Sequence, residues 1–119
     1  MPISTVKTLT TDASATTSSI STDWIPLNLH ATPFNVGFGV YCSGTGQPTV
    51  RVEHTFQNVM KSTTGVDTFI HEDVSGVQMT SATNTLDGNY AFAVNAIRLT
   101  STATSGAATV HFRVNQAGI

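Results

Sequence analysis

From Ala108 to Asn115 the chain alternates without a break: Ala108, Val110, Phe112 and Val114 on one side, Thr109, His111, Arg113 and Asn115 on the other. A period of two belongs to a β-strand with one face in a core and one in water, and it does not make an amphipathic helix. Just upstream, Ile97, Leu99, Ser101 and Ala103 alternate with Arg98, Thr100, Thr102 and Thr104, and Ser105-Gly106 between the two runs is a turn signal. The two runs are therefore expected to form a β-hairpin.

The pattern recurs along the chain. Phe34, Val36, Phe38 and Val40 alternate with Asn35, Gly37, Gly39 and Tyr41; Gly44-Thr45-Gly46-Gln47-Pro48 reads as a turn; Val50, Val52, His54 and Phe56 then share a face opposite Arg51, Glu53 and Thr55. These segments predict a second hairpin. Gly37 and Gly39, on its outward face, either leave room for a neighbouring group or mark a bend in the sheet, and the sequence leaves both readings open. Trp24 to His30 reads as a short strand that Pro26, lacking an N–H, confines to an edge or a bulge. Phe69-Ile70-His71 and Val77-Gln78-Met79 read as brief strands among polar clusters such as Asp87-Gly88-Asn89, and Asn58 to Ser62 as one helical turn at most. Tyr90, Phe92 and Val94 are apolar at even positions but Ile97 and Leu99 at odd ones, a slip that a β-bulge near Asn95 accounts for. Roughly seven to nine short strands with frequent turns predict an all-β fold, an antiparallel β-sandwich of jelly-roll type.

Composition argues the same way. Charged residues make up 10% of the chain, against about 25% in an ordinary soluble domain. Ser and Thr, 32 in number, take their place, and β-branched Thr suits a pleated surface. A chain of 119 residues fits one domain with a core of its own. Cys42 is the single cysteine, so no internal disulfide forms and no thiolate framework for a metal exists; it reads as a small, half-buried hydrophobe. The net charge is −2 and the five Lys and Arg residues are scattered, which disfavours nucleic acid as a direct partner. No basic leader precedes an apolar run and no stretch is apolar enough to span a bilayer, so a soluble protein made in a cytoplasm, without a membrane partner, is expected. Residues 1 to 22 are dominated by Ser and Thr around Ile3, Val6, Leu9 and Ile20, too few apolar anchors to order the segment alone. They are expected to form an extended N-terminal arm ahead of a sandwich domain over 23 to 119, either as a frayed end or as a segment that orders against another chain.

Residue types and spacings match no catalytic or metal-binding pattern. His30, His54, His71 and His111 are far apart, no HExxH or Cys/His cluster occurs, and His54 is patterned inward but His111 outward. Adjacent carboxylates at Glu72 and Asp73 point to opposite faces if extended, and a solvated loop is their expected setting. No GxSxG elbow positions a nucleophilic serine, and Gly44-Thr45-Gly46 is followed by a strand, unlike a dinucleotide fingerprint. The aromatic residues fall mainly on inward strand faces, as core residues do, and Arg51, Arg98 and Arg113 point outward from three different strands. No catalytic residue, cofactor or metal is assigned, and the chain is not expected to be an enzyme.

Several blocks together resemble a family of small structural proteins of tailed bacteriophages. They are Trp24-Ile25-Pro26, Pro33 to Val40, Val50 to Phe56, Asp87 to Phe92, Ala96 to Leu99 and the closing Gln116-Ala117-Gly118. The resemblance covers nearly the whole chain after about residue 20 and implies a virion structural protein without an active site. Analogy of size and fold class extends this to a head decoration or cement protein on the outer capsid. Such a protein would stabilise the shell by binding the major capsid protein, in copies arranged as a homo-oligomer on the particle, with Ile3, Val6 and Leu9 of the arm touching a neighbouring subunit. The alternative is a tail, fibre or host-adhesion module of the same virion, in which Tyr41, His111 and the loops at Gly44 and Gly88 bind a glycan.

Overall fold

The computed structural model describes residues 3–11, 19–44, 46–61, 65–80, 83–102 and 108–117. Alternating segments become nine strands: β1 (Ile3–Thr11), β2 (Ser19–Ser21), β3 (Ile25–Pro26), β4 (Asn35–Gly44), β5 (Thr49–Thr55), β6 (Phe69–Gln78), β7 (Thr85–Tyr90), β8 (Ala96–Thr102) and β9 (Ala108–Ala117). One sheet runs β1-β9-β4-β7; the other runs β2-β8-β5-β6, with β3 also on β8. Every pairing is antiparallel. The pairs are nested, β1 with β9, β2 and β3 with β8, β4 with β7, β5 with β6. Such nesting is a long doubled ribbon, and the β4–β9 and β5–β8 pairs roll it into two packed sheets. This is the path of a jelly roll.

Nesting overturns both expected hairpins. Strands β8 and β9 lie in opposite sheets, as do β4 and β5. Alternation tells which face of a strand is buried but not which strand lies beside it, and both members of each supposed hairpin bury their apolar faces from opposite sides of one core. The turn at Ser105-Gly106 lies outside the described residues. No bulge is needed near Asn95 either: β7 ends at Tyr90, residues 91–95 cross to the other sheet, and β8 resumes with its own inward parity. The two brief strands expected in the middle are one strand, β6, whose register against β5 shifts around Arg51. Pro26 sits where its missing donor predicts, in a two-residue strand outside β8. Around Asn58 a single turn closes, with the Lys61 N–H donating to the Asn58 carbonyl at 3.3 Å.

The described part of the expected arm supplies an edge strand to each sheet. β1 pairs with β9 over its whole length, placing Ile3, Val6 and Leu9 opposite Gln116, Arg113 and Val110, while β2 pairs with β8. A β-branched, hydroxyl-rich segment with few apolar anchors can still satisfy its backbone donors and acceptors in a ladder.

Between the sheets the core is aliphatic and aromatic: Val36, Phe38 and Val40 of β4 and Val110, Phe112 and Val114 of β9 face Val50 and Val52 of β5 and Ile97 and Leu99 of β8. Each such side chain contributes about 1.5–3 kcal/mol by leaving water. The Cys42 thiol belongs to this cluster, and burial pushes its pKa up, as befits an unreactive packing residue. On the outer face of the second sheet Glu53 is 2% exposed. It accepts from Arg51 Nε at 2.5 Å, Arg98 Nε at 2.7 Å and the Thr100 hydroxyl at 2.9 Å, and the Arg98 guanidinium lies 4.4 Å from the centre of the Trp24 ring. Burial alone would raise the Glu53 pKa, but the donated hydrogen bonds outweigh it and hold the carboxyl below its ordinary range. This brace ties β5 to β8. Among the described residues no helix is long and apolar enough to cross a membrane.

Candidate functional site

Because the ribbon doubles back, the β3–β4, β5–β6 and β7–β8 connections gather at one end of the sandwich. Backbone bonds join them: the Asn95 N–H donates to the Thr55 carbonyl and the Leu27 N–H to the Asn95 carbonyl, both at 2.9 Å. Seven large hydrophobic side chains are exposed among the described residues, and six of them sit here: Leu29, Phe56, Met60, Phe69, Ile70 and Phe92. Met60 is 77% exposed and the three phenylalanines about half. Phe56 and Phe92 were expected inside, from strand parity. Each lies just beyond a strand end, after Thr55 and after Tyr90, where the pleat that sets inward and outward no longer operates.

Under the three phenyl rings lies His54, 6% exposed. Its imidazole stacks on Phe69 with ring centres 5.8 Å apart and meets Phe56 and Phe92 edge-on at 5.5 and 5.7 Å. Its Nδ1 is hydrogen-bonded to the Tyr90 hydroxyl at 2.8 Å. Burial, with a smaller contribution from nearby His71, lowers the His54 pKa, so the ring is neutral at neutral pH. Burial and the Glu53 charge push the Tyr90 phenol well above its usual range, so it keeps its proton. The ring contacts continue through Tyr90 and His71 to Phe38 and Phe112 in the core. The exposed rings are thus the outer end of a packed column, held rigid from below.

His71 closes the side of this column. The Asp73 N–H donates to its Nδ1 at 3.1 Å, which leaves the proton on Nε2 to be donated to the Asn89 carbonyl at 2.9 Å. That bond links β6 of one sheet to β7 of the other. Beside it opens a cleft of about 420 Å³ with Phe92 and Ile70 in its wall, His54 and His71 at its base and Glu72 and Asp73 at its rim. The two carboxylates lie in strand β6, where a loop was expected, and both are exposed. Among the described residues neither has an ion-pair partner.

Among the described residues no group of three or more His, Cys, Asp or Glu is placed to hold a metal ion. His54 and His111, patterned to opposite faces, are indeed kept apart: His54 packs in the column, whereas His111 stacks on Tyr41 at 5.9 Å on the outer face of the other sheet. Of Ile3, Val6 and Leu9, only backbone placement is described; all three lie in edge strand β1.

No family model and no curated protein matches the chain. Solved structures resemble it distantly over nearly its full length. A chain of the Bacillus endospore appendages, described as disulfide-linked pili, is 12% identical with a TM-score of 0.42, covering 100% of this chain and 88% of that one. The decameric BFDV capsid protein is 7% identical with a TM-score of 0.47, over 98% and 94%. The CBM22-1 xylan-binding domain of Paenibacillus barcinonensis Xyn10C is 16% identical with a TM-score of 0.40, over 99% and 86%. Likeness this distant leaves the role of the chain to be argued from its own residues.

Proposed function

We propose that this chain is a structural protein of a bacteriophage particle, of the head decoration or cement type, and that it binds the major capsid shell through the apolar end of its sandwich. The observation that carries this reading is the gathering of six exposed hydrophobic side chains at one end of a chain whose surface is otherwise rich in Ser and Thr. A contiguous apolar patch on a small domain marks an interaction site, and a column of rings packed from below presents it without reorganisation. Glu72 and Asp73 at the rim add a requirement, a basic side chain on the partner beside an apolar depression. The resemblance of the sequence blocks to tailed-phage structural proteins supports the same role.

Symmetry does the rest. A modest contact repeated over a shell becomes strong through effective concentration, and among the described residues no strand pairs with the outer edge of β1, which could receive a neighbouring copy. Contact between copies at Ile3, Val6 and Leu9 would then be made by an edge strand already held on β9. The test is co-sedimentation of the purified protein with undecorated heads, comparing wild type with a Phe69→Ser, Phe92→Ser double variant. Both side chains are about half exposed, so the variant should keep its fold, checked by its melting curve, and its occupancy on heads should fall at least tenfold. Undiminished occupancy would refute docking through this end.

A further inference from the structure

The outer face of the β1-β9-β4-β7 sheet holds a second feature that the docking end does not use. Along β4 the outward positions are Gly37, Gly39 and Tyr41. Their neighbours across the ladders are Asn89, Asp87 and Thr85 on β7 and Asn115, Arg113 and His111 on β9. The central strand therefore has no side chains for two successive outward positions while both flanking strands carry polar ones. With strands spaced about 4.8 Å apart, the flanks stand about 10 Å from each other, and the depression between them measures about 560 Å³. Tyr41, the next outward residue of β4 beyond the depression, is exposed and stacked on His111.

Nothing in the fold demands those glycines. A Cβ on Gly37 would meet no atom within 4 Å, and one on Gly39 would meet only the Leu86 carbonyl oxygen at 3.9 Å. Neither has a positive φ. Glycine in a strand interior gives up about 0.5–1 kcal/mol relative to alanine, so two in a row where side chains fit are a cost without a packing reason. What they supply is an open floor.

We infer that this trough binds a carbohydrate chain, with sugar rings lying along Gly37 and Gly39 and one ring against Tyr41. The lining decides the class of ligand. Asn89 and Asn115 each offer a donor and an acceptor, Asp87 accepts and Arg113 donates, and all four project from strands at fixed spacing. A hydroxyl is itself both donor and acceptor, so a polyol satisfies this mixed set. A polyanion meets Asp87, a basic peptide meets Arg113, and a purely apolar ligand would leave every flanking group unpaired. The aromatic face of Tyr41, next along the strand beyond this shallow polar depression, completes the arrangement. The trough lies on a sheet face; Asn89 at one end also lines the cleft of the docking end, and from there the trough runs along Gly37 and Gly39 away from the exposed rings.

The test uses the full chain, isotope-labelled, titrated with oligosaccharides of glucose, N-acetylglucosamine, galactose and mannose while amide shifts are followed by NMR. At least one sugar series should move the amides of residues 37–41, 87–89 and 111–115, and Tyr41→Ala should weaken that binding at least tenfold. Gly37→Val fills the floor with a residue strands favour; it should abolish binding and leave the melting temperature equal or higher. Gly39→Ala serves as the second filling variant, should weaken binding, and guards against an unforeseen folding defect in the first. No shifts with any series, shifts confined to another surface, or undiminished binding by both filled variants would overturn the inference. Loss of head binding in the Phe69→Ser, Phe92→Ser variant with sugar binding intact would separate the two sites.

Discussion

Gly88 and Gly37 stand one residue out of register across the β4–β7 ladder, one turned to the core and the other to solvent, and replacing them with alanine should have opposite effects. Gly88 pairs with Phe38, and a Cβ built on it would lie 2.6 Å from Phe38 Cζ and 3.2 Å from both Cε atoms. The tip of a free side chain would swing aside. Phe38 is buried, with His71, Tyr90 and Phe112 rings centred 5.0, 5.9 and 6.0 Å away, so the ring has nowhere to go and the strain stays. Overpacking of this kind costs about 1–3 kcal/mol. Gly37→Ala meets no atom and should instead stabilise by about 0.4–1 kcal/mol through the unfolded chain. The two variants should therefore differ by roughly 1.5–4 kcal/mol. Chemical denaturation with a common m-value measures this, and thermal melts should separate the variants by at least about 5 °C. A Phe38→Leu background removes the obstructing ring edge and should relieve most of the Gly88→Ala penalty in a double-mutant cycle. Equal stabilities for Gly88→Ala and Gly37→Ala would refute the packing of Phe38 over β7.

Further outcomes follow from three buried polar groups. Glu53→Gln removes the charge that Arg51 and Arg98 converge on and should destabilise by about 2–4 kcal/mol at neutral pH, read by urea denaturation. Since the native Glu53 pKa is depressed, its contribution is complete above the ordinary carboxylate range and is lost as pH falls through the native value; the acid limb of a stability-against-pH curve should be shallower in Glu53→Gln. His54 adds an earlier slope: its native pKa is also depressed, so below about pH 6.5 the unfolded chain takes up a proton that the native one refuses, stability falls, and His54→Phe should flatten that part of the curve. Among the described residues the buried Ser101 hydroxyl oxygen has no hydrogen-bond partner, so Ser101→Ala should be neutral or stabilising by up to about 1 kcal/mol in the same assay, where a loss above that size would mean the oxygen is satisfied.

How far the sequence could be read follows from what periodicity encodes. Alternation located β4, β5, β8 and β9 and named most of the core, because Val36, Phe38, Val110 and Phe112 obey the pleat that puts them inside. It misassigned partners, because adjacent strands in a jelly roll mostly belong to different sheets and a strand of either sheet has the same pattern. β6 was read as two fragments, since the register shifts around Arg51 break the parity that would have joined Phe69 to Gln78. The apolar end was hidden for a related reason: Phe56 and Phe92 extend the apolar parity of the strands they follow, and only the end of each strand turns them outward. The Glu53 brace gave no signal, because a carboxylate among outward residues looks like any surface charge until Arg98, far away in sequence, arrives beside it. The outward glycines of β4 were visible from the start, but their neighbours on β7 and β9 emerge only with the register.

The proposed docking through the apolar end fixes how the sandwich would sit on a particle. A cryo-EM map of heads carrying this protein would show which part of the sandwich faces the shell. The account predicts Phe56, Met60, Phe69 and Phe92 against the capsid, a basic capsid side chain beside Glu72 and Asp73, and the Gly37–Tyr41 face turned outward. A sandwich seated by its opposite end or by the outer face of either sheet, with those rings in solvent, would contradict it.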